Sequence, residues 1–143
     1  MPDNKISRKE NRLGLLLWFR LSRFFNESIQ QSSQHLKEWD LSVAQFDVLV
    51  QVGSHELITQ QELADKLLVS KGNISQLLTR MERLELIKRQ QEWKVKYISL
   101  TEKGKELYKD VVPRQETFQS QAFSKLDQNE QLQLLELLRK LNR

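Results

Sequence analysis

No cysteine occurs in the chain, which excludes disulfide scaffolds, thiolate metal sites, cysteine nucleophiles and thiol-based redox sensing together. That lack fits a reducing compartment, and a cytoplasmic location is the expectation. Only two prolines and four glycines stand among 143 residues, and 29% of the residues are charged, so disorder and collagen-like arrays are unsupported. Long apolar runs are missing too. The longest, Leu15 to Phe19, is followed at once by Arg20 and Arg23, which is too short for a membrane span and wrongly flanked for a signal peptide. No membrane partner is expected. Imidazoles are scarce: His35 and His55 stand twenty residues apart, and Thr59 occupies the place where a zinc-protease motif beginning at His55-Glu56 would need its second histidine. Ser42 near Asp40 and His35 could suggest a catalytic triad, but Ser42 is better used as a helix cap, and neither a nucleophile elbow nor a phosphate loop occurs. Neither a metal, nor a cofactor, nor enzymatic activity is expected.

What is present is a length suited to one compact unit or two small lobes sharing a core. The net charge of +4 is unevenly placed: residues 41–70 carry one basic and four acidic side chains, residues 71–99 seven basic and three acidic. A basic stretch after an acidic one is the asymmetry expected where one face meets a polyanion, although a solvated charged face has the same composition.

Apolar side chains recur at helical spacing through Leu13, Leu16, Leu17, Leu21, Phe24, Phe25, Ile29 and Leu36, which predicts one long helix over 9–38. Ser42 with Gln45 predicts a capped second helix that ends near Gly53, with Leu41 stapled to Phe46. Thr59 with Glu62 predicts a short third helix to about Leu68, and Ser70 caps a fourth that reaches about Leu84. In this last helix Ile74, Leu77, Leu78, Met81 and Leu84 form one stripe, opposite Lys71, Asn73, Gln76, Arg80 and Arg83. Ile87–Gln90 and Val95–Leu100 are rich in strand formers and predict a hairpin joined by Gln91-Glu92-Trp93-Lys94. Thr101 caps a helix to about Phe123, bent by Pro113, and Asp127 with Glu130 opens a last, leucine-rich helix.

A short helix, a tight turn at Val69-Ser70, a second helix with a polar free face and a basic hairpin are the order of a winged helix-turn-helix. An α-helix fits the major groove, where Asn73 and Gln76 carry both donors and acceptors for base edges and Arg80 and Arg83 suit phosphate. Ser70 and the first N–H groups of the helix can hold a phosphate oxygen, and Gly72 would let the backbone come close. The expected DNA-contacting set is Ser70, Lys71, Gly72, Asn73, Ser75, Gln76, Arg80 and Arg83 on the helix, with Lys88, Arg89, Lys94 and Lys96 on the hairpin. The fold class expected is mainly α with a small β-hairpin wing: a winged helix-turn-helix lobe over 39–105, flanked by dimerisation helices over 1–38 and 106–143.

The sequence resembles the MarR family of transcriptional regulators over essentially its whole length. The resemblance rests on Leu41-Ser42-Val43-Ala44-Gln45-Phe46-Asp47-Val48-Leu49, on Glu62-Leu63-Ala64 and Val69-Ser70-Lys71-Gly72-Asn73-Ile74-Ser75, and on Leu84 to Arg89 with Leu100-Thr101-Glu102-Lys103-Gly104. It implies a homodimer joined by the terminal helices, two winged lobes on a pseudo-palindromic operator in double-stranded DNA, and a small, often aromatic effector that weakens binding. Two departures stand out. Glu85 takes the place where the family usually has a left-handed glycine, and Glu92-Trp93-Lys94 replaces an arginine-containing wing tip. Trp93 is expected to cover the wing, the alternative being a contact with sugar.

Aromatic residues crowd the first helix and its exit. Trp18, Phe25, Trp39 and Phe46, with Arg23 or His35 as a polar handle, are the candidate effector site, against the plainer alternative of core and dimer packing. The resemblance implies quinone-like or other aromatic compounds as the ligand class. Apolar faces on both terminal helices predict dimerisation, because monomers rarely expose such patches. The expected function is a ligand-responsive repressor. The alternative is a winged-helix module for protein–protein contact.

Overall fold

The computed structural model describes residues 4–143, so residues 1–3 of the expected first dimerisation segment lie outside the described residues. Helix α1 spans Asn4–Leu36. It ends before residue 38 because Lys37–Trp39 tighten into a 3-10 turn and Asp40 turns left-handed, at φ 53°. Helix α2, Val43–Gly53, begins with a reciprocal cap in which Ser42 Oγ accepts from the Gln45 N–H at 3.1 Å and Gln45 Oε1 accepts from the Ser42 N–H at 3.0 Å. Strand β1 is only Ile58–Thr59, and α3 is Gln60–Leu67. Thr59 Oγ1 accepts from the Glu62 N–H at 3.1 Å. The return bond from Glu62 is not found among the described residues, where Thr59 also ends β1 opposite Tyr97.

Helix α4, Lys71–Arg83, starts where Ser70 Oγ accepts from the Asn73 N–H at 3.2 Å. Its end is closed by the Glu85 N–H to Glu82 O and the Leu86 N–H to Met81 O, with Glu85 at φ 61°. These are the two return bonds of a Schellman stop. The family's left-handed position is thus kept here without glycine. Strands β2, Ile87–Glu92, and β3, Val95–Leu100, pair antiparallel, and the sheet order is β1-β3-β2. The hairpin is tighter than the sequence predicts: Gln91 pairs with Lys96 and Glu92 with Val95, so only Trp93 and Lys94 form the loop. Helix α5, Glu102–Gln121, runs through Pro113, and α6, Gln128–Leu141, opens with the Asp127–Glu130 box.

One apolar core lies under the lobe, where Val48 and Leu49 of α2, Leu63 of α3, Ile74, Leu78 and Met81 of α4 and Ile87 and Ile98 of the hairpin are all buried. Leu36 at the end of α1 and Val111 and Val112 in the middle of α5 join it, so both flanking helices close the lobe. Each fully buried aliphatic side chain contributes roughly 1.5–3 kcal/mol to this clamp. Much of α1 and α6 is different: Leu13, Leu16, Leu17 and Phe25, and Leu132, Leu135, Leu137 and Leu141, are exposed.

Candidate nucleic-acid interface

The apolar stripe of α4 fixes which side faces out. Ile74, Leu78 and Met81 anchor the helix in the core, which leaves Lys71, Gly72, Asn73, Gln76, Arg80 and Arg83 exposed and Ser75 half-buried. The Asn73 backbone N–H is occupied by the Ser70 cap, and its side-chain amide remains outward. Gly72 packs against nothing within 4 Å of an added Cβ, so the fold itself does not require glycine there.

A groove of about 580 Å³ separates the start of α4 from the wing, and Lys71, Lys94 and Lys96 line it. Three cations thus flank one concavity. Gln60 and Gln61, from the first turn of α3, also line this groove, and Gln60 Oε1 is buried without a hydrogen-bond partner among the described residues. Nothing in the sequence marked these two glutamines, because surface polar residues at a helix start are ordinary.

Two expected contact residues are placed elsewhere. Lys88 follows buried Ile87 and so points to the opposite face of the hairpin, where it lines a separate groove of about 440 Å³ with His55 and Lys105. Arg89 points back at α4, where it donates to Thr79 Oγ1 at 3.0 Å and Glu82 Oε1 at 3.1 Å, and its side chain is only 19% exposed. The Arg89 guanidinium holds the Glu82 carboxyl below the usual glutamate range, chiefly through that hydrogen bond. Trp93 corrects another expectation: it does not cover the wing but stands 85% exposed at its tip.

The candidate effector residues are brought together only in part: the rings of His35 and Trp39 lie 5.2 Å apart, whereas the others fall into separate grooves or the core. Trp18 and Arg23 line one shallow groove along α1, where Arg23 pairs with Glu27 at 3.1 Å. Phe25 lines another, a cleft of about 220 Å³ with Phe24, Ile29, Ser32, Phe118 and Phe123. His35 Nδ1 lies 2.6 Å from Gln115 Oε1, and its ring stacks on Phe118 with centroids 4.2 Å apart. The Trp39 indole N–H donates to Asp110 Oδ2 at 2.9 Å, and Phe46 is buried in the core of the lobe. Phe46 therefore has the packing role. Gln115 and Phe118 of α5, and Phe123 just after it, were missed because they meet α1 only through tertiary packing, across about eighty to a hundred residues of sequence. Among the described residues no group of histidines and carboxylates could hold a metal ion, and no helix is long and apolar enough to cross a membrane.

A helix-turn-helix with its polar face outward, followed by a two-stranded wing, defines a winged-helix DNA-binding protein. The comparisons carry this to a family. The MarR family profile matches residues 39–92. An HTH-type transcriptional regulator of Bacillus cereus is 46% identical over 136 residues, 94% of this chain and 92% of the relative. The structure of S. aureus MepR in complex with DNA superposes with a TM-score of 0.80 at 25% identity, covering 86% of this chain and 93% of that one. A structure of BpsR from Bordetella bronchiseptica, whose DNA binding is regulated by 6-hydroxynicotinic acid, matches in fold with a TM-score of 0.83 at 19% identity, over 90% and 99% of the two chains. The chain belongs to the MarR family and is a DNA-binding transcriptional regulator.

Proposed function

We propose that the protein is a homodimeric, ligand-responsive repressor that binds a pseudo-palindromic operator in double-stranded DNA, in the cytoplasm. The observation that carries this is the two-sided character of α4: its apolar face is spent on the core, and Lys71, Asn73, Gln76, Arg80 and Arg83 are left for a partner. Asn73, Gln76 and Lys71 set base preference, whereas Ser70, Arg80, Arg83, Lys94 and Lys96 bind phosphate. Arg89 acts by positioning the wing, and Lys88 lies too far round the hairpin to lead.

Dimerisation is supported by the exposed leucines of α6 and the exposed apolar run of α1, because monomers rarely leave so many large apolar side chains open to water. The cleft between α1 and α5, walled by Phe24, Phe25, Phe118 and Phe123, is the best site for a small aromatic or quinone-like effector. A ligand favouring a lobe spacing unlike that of the DNA half-sites would lower affinity by its differential binding, typically ~1–3 kcal/mol. Footprinting on the region upstream of the protein's own gene tests the reading. Two protected stretches on one face, about 10 bp apart or a multiple of that, are expected, with protection weakened by a quinone. Diffuse protection without register would contradict it.

A further inference from the structure

Trp93 occupies a place that its residue type does not suit. It is the first of the two loop residues between β2 and β3 and has φ 59°, where the favoured hairpin turns take glycine or asparagine. The residue is 85% exposed. The loop itself is well held: Glu92 pairs with Val95, and the Gln91 side-chain amide donates to Trp93 O at 3.1 Å. Lys94 Nζ lies 5.0 Å from the indole centroid, a cation over the ring face. A strained, solvent-exposed aromatic on a rigid tip is poorly explained by stability, and its place beside Lys94 and Lys96 at the edge of the basic groove suggests a polyanion.

The reach fits the neighbouring minor groove. Burial along the hairpin fades from Ile87 and Leu100 at the root to nothing at the tip, and six residues of strand extend about 20 Å. Half the ~34 Å helical repeat of DNA, the step from a major groove to the adjacent minor one, is about 17 Å. The chemistry of the indole then decides what it prefers. Its face is apolar and suits the sugar walls, and its N–H is a donor without an acceptor. In the minor groove A·T pairs present only acceptors, whereas G·C pairs add the guanine amino donor.

We infer that Trp93 is a specificity-determining residue: its indole enters the minor groove flanking each half-site and selects A·T pairs there, while Lys94 holds the adjacent phosphate. This rests on the operator reading above, and the test separates the two. The native protein and Trp93→Gly and Trp93→Phe variants are each used to select from a pool of random-sequence duplexes. The native protein should enrich paired half-sites with A·T flanks. Trp93→Gly should keep the half-sites, lose the flanking bias and bind about tenfold more weakly. Trp93→Phe should retain most of the affinity but discriminate less between A·T and G·C. In the selected site, G·C flanks should weaken native binding, and replacing those guanines by hypoxanthine, which lacks only the amino group, should restore it. Trp93→Gly should also melt at a higher temperature than the parent, which shows that the variant folds. Identical flanks from native and variant pools, or no rescue by hypoxanthine, would overturn the role of Trp93 alone. Failure of the native protein to enrich any motif would overturn the operator reading with it.

Discussion

Leu68 shows how this chain solves its turns. It is 91% exposed and left-handed, at φ 54°, and it stops α3 through bonds from its own N–H to Asp65 O and from the Val69 N–H to Ala64 O. A side chain at this φ costs roughly 1–2 kcal/mol relative to glycine, partly offset by the greater freedom of glycine in the unfolded chain. Leu68→Gly should therefore stabilise the fold by about 0.5–1 kcal/mol. A calorimetric melt checks it, and a lower Tm would contradict it. The reverse holds at Gly104, where an added Cβ would lie 2.1 Å from Leu86 O. Gly104→Ala should destabilise by about 1–3 kcal/mol in the same experiment. Gly53 does mark the end of α2, but glycine does not mark the left-handed positions. None of the glycines has positive φ; Asp40, Leu68, Glu85 and Trp93 hold those conformations instead. Local return bonds between backbone groups fix these stops, and backbone bonds leave no trace in residue type.

At the scale of elements, what was legible was what is local. Ser42, Ser70, Thr101 and Asp127 each cap the helix that follows, because a side-chain oxygen meeting an N–H two or three residues on needs no tertiary context. Strand β1 is two residues long, too short for any period, and exists because Ile58 pairs with Ile98. The contacts of Arg89 were equally invisible, since Thr79 and Glu82 face it only after the wing folds back on α4. This strut gives a prediction. Glu82 has a lowered pKa in the fold, so its contribution is present above the ordinary glutamate value and is lost as pH falls through the depressed one. The difference in Tm between the parent and Glu82→Gln should shrink as melts move from neutral to acid pH, and a constant difference would show that the ion pair is idle. On α4 itself, Gln76→Ala should lose about 1–3 kcal/mol and relax preference at one base pair. Arg80→Ala should weaken all sequences alike. Gel-shift titrations against singly substituted duplexes distinguish these, and two variants that bind like the parent would remove α4 from the groove.

At the scale of the whole molecule, the lobe is complete within one chain, and the outer helices are not. Leu135 and Leu137 of α6 face solvent, as does the apolar run of α1, and a second copy would cover such faces. Leu135→Glu should shift sedimentation at micromolar concentration from dimer toward monomer and, by separating the two lobes, lower operator affinity steeply. A parent protein that already sediments as a single chain would contradict the dimer. The claim on which the rest depends is that α4 and the wing meet DNA through phosphate as well as bases. Its most direct test is the salt dependence of binding to the selected duplex. A linear fall in log affinity with log salt, amounting to ~10³-fold or more between 50 and 200 mM if six or more phosphates are neutralised, is the predicted result. A flat response would contradict the account and favour a winged module that binds protein.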